Sequence, residues 1–235
     1  MTLLAVVKDV CATVGVQVPS TVFGGIANNR TMQEMLSLAN EMAQRIAYDT
    51  RDWTVLRSGG AFIGDGITDG FALPANYKRL LLTTNVRRRS APVTPLRFIS
   101  DLDEWLNLRM SNTESSSGDW IINAGKMYFS PILPLNDSVV FSYLDKNCVT
   151  LTGGGFGDSF MADGDTFRLD ERLLKLGMIA NWKQQKGSPY AEDMGSYSDA
   201  LANAMGHDAP APILIDRRPM SHSNRGVAYP WPVPT

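Results

Sequence analysis

The apolar residues of this chain change their spacing twice. As far as Asp49, and again from Asp170, they recur every third or fourth position; between Trp53 and Lys146 they fall in short runs separated by turn residues. A helix brings side chains back to one face about every 3.6 residues and a strand every second residue, so neither pattern can be housed in the other element. The chain is thereby constrained to an α+β fold in which an antiparallel β-rich region is inserted between N-terminal and C-terminal helices, with the helices expected to form a bundle.

The first helical stretch carries Leu3, Leu4, Val6, Val7, Val10, Cys11 and Val14, with Thr2 placed to cap it and Gly15 to stop it. After a Gly- and Asn-containing loop over 18–30, Thr31 and Glu34 form a capping box. They precede a stripe of Met32, Met35, Leu36, Ala39, Met42, Ala43 and Ile46 that runs to Asp49. At the other end Asp170 caps a helix through Leu173, Leu174, Ile179 and Trp182, and Gly187 ends it. Ser188 and Pro189 then open a second arm through Met194, Tyr197, Leu201 and Met205 that closes at Gly206, giving a helical hairpin.

Between them the sequence predicts strands over 54–63, 71–73, 79–86, 93–96, 120–123, 126–130 and 138–146. Gly64-Asp65-Gly66, Asp69-Gly70 and Ala124-Gly125 supply turns, the last joining Ile122 to Met127, and short connections of this kind favour antiparallel pairing. One helix interrupts the run, with Ser100 as its cap and Leu102, Trp105, Leu106 and Met110 as its apolar face. The polar run 111–118 reads as a mobile loop. The stretch 151–165, with Gly153, Gly154, Gly155 and Gly157, reads as irregular. The parts are thus N-terminal helices over 1–52, a β-rich insertion over 53–148, a Gly-rich loop over 149–169, a helical hairpin over 170–206 and a tail over 207–235.

Six prolines after Gly206 bar any helix or central strand there. A merely solvated tail would be poor in large apolar residues. This one holds Ile213, Leu214, Ile215, Tyr229 and Trp231, which are expected to bind along a neighbouring surface. Arg217 and Arg218 in the tail, and Arg87, Arg88 and Arg89 at a strand end, are candidates for contact with DNA phosphate or an acidic subunit face.

No residue pattern points to catalysis. Cys11 and Cys148 match neither a Cys-x-x-Cys nor a zinc spacing and fit a reducing compartment. The glycines at 153–157 lack the Lys-Ser/Thr of a phosphate loop, and Asp163, Asp165, Asp170 and Glu171 do not align with a calcium loop. His207 and His222 lie at or beyond the last helix, where fixed geometry is hard to hold. No metal and no cofactor are expected. With 22 basic and 24 acidic residues the chain lacks the basic excess of a dedicated nucleic-acid binder. Lys8 and Asp9 interrupt the apolar start, and no apolar run has the length of a membrane span, so a soluble protein is expected.

The order of these parts, with the strings VKDVCATVGV, LSLANEMAQRIAYDTRDW, DWIINAGKMYFSP, LDERLLKLGMIANWKQQKGSPYAED and YSDALANA, resembles the head-to-tail connector (adaptor) proteins of tailed bacteriophages, including the tail-tubular type. The resemblance implies a structural virion protein made in the bacterial cytoplasm, forming a ring at the head-tail junction, commonly of twelve copies. Its partners would be itself, the portal protein and a tail or nozzle protein, with genomic DNA passing through the channel without sequence-specific binding. A tail-completion or baseplate part is the alternative of the same kind. A hydrolase with a spatially assembled carboxylate site is the alternative of another.

Overall fold

The computed structural model describes residues 1–24, 29–81, 84–111 and 115–208. Among them the chain is mixed α and β, with five α-helices and three β-sheets. Helix α1 (Leu3–Val14) follows the caps its sequence predicts: Thr2 Oγ1 accepts from the Ala5 N–H, and Gly15 takes the left-handed φ of 73° that ends the helix. Helix α2 (Arg30–Gln44) does not. Asn29, rather than Thr31, caps it by accepting the Thr31 N–H at 3.0 Å, while Glu34 turns outward to Arg30 at 2.9 Å and Lys186 at 2.7 Å.

Beyond α2 the helix widens into a π-turn, Arg45–Asp49, before the chain enters a single 3-10 turn, Thr54–Leu56. The Ile46 carbonyl within the widened turn receives the Thr50 hydroxyl at 2.8 Å and the buried Trp53 Nε1–H at 2.6 Å. Side-chain donors thus serve a carbonyl where the regular ladder is interrupted.

Near the other end of the chain, Asp170 caps α4 (Glu171–Gln185) through the Arg172 N–H, and Gly187, at φ 69°, reverses the chain. Helix α5 (Ala191–Asp208) starts after Pro189, bonds first from Met194 N to the Tyr190 carbonyl, and continues through Gly206. Apolar faces of α1, α2 and α4, with part of α5, share one core that includes Val7, Met35, Met42, Leu174 and Met178. Gly177 shows how close the helices come. A Cβ there would collide with the Met42 side chain and stand 3.1 Å from the Tyr197 ring, so α4 meets α2 and α5 where it has no side chain.

The segment between the helices builds two four-stranded sheets. In the first, β1 (Arg57–Ile63) pairs antiparallel with β8 (Ser138–Asp145) along its whole length. The short β3 (Tyr77–Leu80) and β4 (Arg87–Arg88) also pair with β8. In the second, the order is β2 (Gly70–Ala72), β7 (Lys126–Ser130), β6 (Asp119–Asn123) and β5 (Arg97–Phe98). The β6–β7 hairpin has the expected register, Ile122 opposite Met127, with positive φ at both Ala124 and Gly125 as a primed turn requires. Not every expectation holds: β5 runs parallel to β6, 93–96 is not a strand, Val93 being 87% exposed, 54–56 is the 3-10 turn, and of the strand expected over 79–86 only Arg79 and Leu80 are strand among the described residues. Phe62 of the first sheet meets Phe71 and Phe129 of the second, with ring centroids 5.2 and 6.2 Å apart, and Phe141 packs beside Phe62 at 5.0 Å, closing a second core.

Helix α3 (Leu102–Ser111) covers the far face of the second sheet. Asp101, not Ser100, receives the Asp103 N–H, and Trp105 packs with Ile99 and Ile121. The layers therefore run α3, β2-β7-β6-β5 sheet, then β1-β8-β3 sheet with β4.

A three-stranded sheet of β10 (Phe156–Gly157), β9 (Val149–Thr150) and β11 (Thr166–Phe167) lies against the helical core. The Gly-rich loop expected over 149–169 is thus ordered. Asp165, 1% exposed, accepts from Thr152 N and Oγ1 at 2.9 and 3.0 Å and from Met161 N and Ala162 N at 2.7 and 2.8 Å. Phe160 enters the helical core, its N–H held by Asn40 at 2.9 Å. Of the polar run 111–118, residues 112–114 lie outside those described; Ser115 N donates to Asp119 at 3.3 Å.

Candidate functional site

The three sequence-adjacent arginines do not form one patch. Strand β4 sets Arg87 opposite Val140 and Arg88 opposite Val139. Neighbouring residues on a strand face opposite ways, and Val139 belongs to the core between the sheets while Val140 is exposed. Arg88 accordingly points inward. Its Nη2 donates to the Pro131 carbonyl at 3.3 Å, and its Nε is buried without a partner among the described residues. Arg87 lies on the outer face, donating to the Pro92 carbonyl at 2.7 Å, and Arg89 is exposed beside it.

The outer face of this sheet is a shallow hollow of about 790 Å³ with an apolar floor of Ala61, Ile63 and Val140 and an arginine edge. Ile63, the last paired residue of β1, is 66% exposed, and Val140, inside β8, is 47% exposed. The rows of the ladder explain the composition: Arg87, Val140 and Ala61 lie side by side across three strands, and Ser138 and Ile63 form the next row. The sequence signal that could have found this face is the residue order within β1, since strand alternation puts Ala61 and Ile63 on the side opposite Phe62.

On the opposite layer, α3 buries only Trp105, with Leu108 partly covered. Leu102, Leu106 and Met110, expected as its core face together with Trp105, are exposed, Met110 to 86%. A helix on a flat sheet presents one narrow stripe to it; Trp105 and Leu108 occupy that stripe, and positions 102, 106 and 110 fall to the side. Asp101, Asp103 and Glu104 crowd the first turn of the same helix.

Two acidic residues between β10 and β11, Asp163 and Asp165, are taken up by hydrogen bonds from neighbouring groups. Asp163 holds Thr21 through its hydroxyl and the Val22 and Phe23 N–H groups at 3.0 Å each, while Asp165 satisfies four donors. Burial opposes ionisation of Asp165, yet the hydrogen bonds from Thr152, Met161 and Ala162 outweigh it and hold the carboxyl below its ordinary range. Among the described residues, no three His, Cys, Asp or Glu side chains gather as metal ligands would, and no helix is long and apolar enough to cross a membrane.

A different cluster, not foreseen from the sequence, clamps the two cores together. Arg168, beside β11, donates to Asp145 at 3.2 Å, to the Asn147 carbonyl at 2.6 Å and to the Val55 carbonyl at 2.9 Å, and its guanidinium lies 4.3 Å from the Phe156 ring centroid. One planar fork thereby ties the entry of β1 and the exit of β8 to the small sheet. Asp208, at the end of α5, is held by Arg51 and by Thr54, 154 residues away in sequence. Ile213, Leu214, Ile215, Arg217, Arg218, Tyr229 and Trp231 lie outside the described residues.

Set against known proteins, the chain matches no family model and no curated protein.

Proposed function

We propose that this chain is a structural subunit of a tailed-phage virion, a head-to-tail adaptor whose copies close into a ring beneath the portal and extend the DNA channel. One observation carries the reading. Helices from both ends of the chain, α1 and α2 with α4 and α5, pack on one apolar core, and the two-sheet segment is an insertion emerging between them. That is the order of parts expected of such an adaptor, with the helices as its bundle and the sheets as a projecting module.

Charge fits the role. A passage for DNA must not grip phosphate, since each neutralised phosphate adds adhesive, salt-dependent affinity. The formal net charge is −2. The polar atoms of Asp163 and Asp165 are committed to neighbouring backbone and threonine groups, an arrangement that serves loop architecture rather than turnover.

The experiment is native mass spectrometry and negative-stain electron microscopy of the purified chain, alone and mixed with portal rings, at low and high salt. Closed rings seated on the portal are expected. A chain that stays monomeric and ignores the portal in every condition overturns the reading.

A further inference from the structure

The β-rich module ends in two unlike outer surfaces, one on each side of its layered stack. On one side the β1-β8 sheet exposes Ala61, Ile63 and Val140 beside Arg87 and Arg89, neither of which makes an ion pair among the described residues. Asp137, in the turn before β8, is occupied by Ser90 at 2.8 Å and by the Ser138 N–H at 2.9 Å. On the other side α3 exposes Leu102, Leu106 and Met110 next to Asp101, Asp103 and Glu104. Its basic residue Arg109 is paired with Asp69 at 2.7 Å, and Glu104 has only a long 3.5 Å contact to Arg97, whose other bond serves Asp119.

We propose that α3 of one copy docks on the outer face of the β1-β8-β4 sheet of the next copy, its apolar stripe on the Ile63–Val140 floor and its first-turn carboxylates against Arg87 and Arg89. The inference rests on the ring reading given above and supplies the contact that builds the ring. Three features lead to it. Both faces are apolar at the centre and charged at the edge, and the charges are of opposite sign. Asp103, Leu106 and Met110 follow one another at three- and four-residue steps, so acid and apolar groups reach the same partner. The two faces also lie on opposite layers, with two sheets between them, so one copy cannot satisfy both itself. A contact between different faces of identical chains is head-to-tail, and it propagates until rotation closes it into a ring.

The test is charge exchange, read by native mass spectrometry and light scattering on the full chain, with circular dichroism confirming that each variant is folded. Arg87→Glu with Arg89→Glu, and separately Asp103→Arg with Glu104→Arg, each place like charges across the contact and weaken self-association by about tenfold or more. Mixing the two variants in equal amounts restores it, because every contact in an alternating ring is again between opposite charges. Two folded variants that assemble as wild type overturn the proposal while leaving the adaptor reading intact. Loss without rescue on mixing overturns the pairing of these two faces. Loss of association caused instead by Ile213→Asp with Ile215→Asp, with both charge variants assembling normally, assigns the contact to the 209–235 segment and overturns it as well. A wild-type chain that never associates, even on the portal, removes both proposals together.

Discussion

Asp165→Asn isolates the residue that gives a glycine-rich stretch its fixed shape. Each carboxylate oxygen of Asp165 accepts two hydrogen bonds, one from Thr152 N and Oγ1, the other from Met161 N and Ala162 N. An asparagine keeps one oxygen. Turned toward the 161–162 side, it leaves the Thr152 N–H facing an amide NH₂, while the Thr152 hydroxyl can rotate to accept; turned the other way, it orphans two backbone N–H groups. Leaving a buried donor unmet costs about 1–3 kcal/mol, and the less costly orientation leaves one, so a loss of roughly 1–3 kcal/mol is expected at neutral pH. For a chain of this size each kcal/mol moves the unfolding midpoint by about 2–4 °C, giving a decrease of roughly 2–12 °C. Differential scanning calorimetry of both proteins across a pH series is the assay. The folded carboxyl lies below its ordinary value of 3.8, so as pH falls the unfolded chain takes up the proton first. The stability it contributes is present above that value and is lost as pH falls through the folded value. The gap between wild type and Asp165→Asn should accordingly be widest at neutral pH and narrow in acid. Equal midpoints at pH 7, or a gap that ignores pH, would refute the reasoning.

Two further outcomes are expected. Arg168→Met leaves Asp145, whose side chain is 6% exposed, without its cation and the Val55 and Asn147 carbonyls without a donor. A loss of about 3–5 kcal/mol in urea unfolding is expected, and a change within error would show the clamp to be dispensable. Burial raises the pKa of both the Cys11 and the Cys148 thiol, so neither should react promptly with a thiol reagent in the native chain, and both should react once denaturant is added. Rapid labelling without denaturant would contradict their placement.

What could be read from the sequence was set by contacts within a few residues. Thr2 and Gly15 around α1, Asp170 before α4 and the Ala124-Gly125 turn are local devices, and each behaves as its neighbours dictate. Glu34 does not, because Lys186, 152 residues away, draws it out of the capping box, and Asn29 takes over the cap. Counting glycines in 151–165 overlooked four donors converging on Asp165 and the Phe160 ring buried under α2. The apolar face of α3 was misassigned because periodicity marks a stripe without saying how much of it a flat sheet covers; Trp105 alone is buried. The arginines were legible as a charge cluster, but strand alternation, visible only once β4 is paired with β8, separates Arg88 from the other two. Arg168 carried no signal, since its partners come from two stretches, around Val55 and over 145–147, that are far from it in sequence.

The widened turn at Arg45–Asp49 fixes more than the end of a helix. Each residue of an α-helix advances the chain by about 100° around the axis, so adding or removing one resets the angular phase of everything downstream. Tyr48, which donates to the Lys146 carbonyl, and Trp53, which donates to the Ile46 carbonyl, both depend on that phase. A single-residue deletion within 45–49 would restore a regular helical ladder and at the same time aim the whole two-sheet module in a different direction. In evolutionary terms the stretch should resist changes in length, because its length is what encodes the bearing of the module relative to the helices.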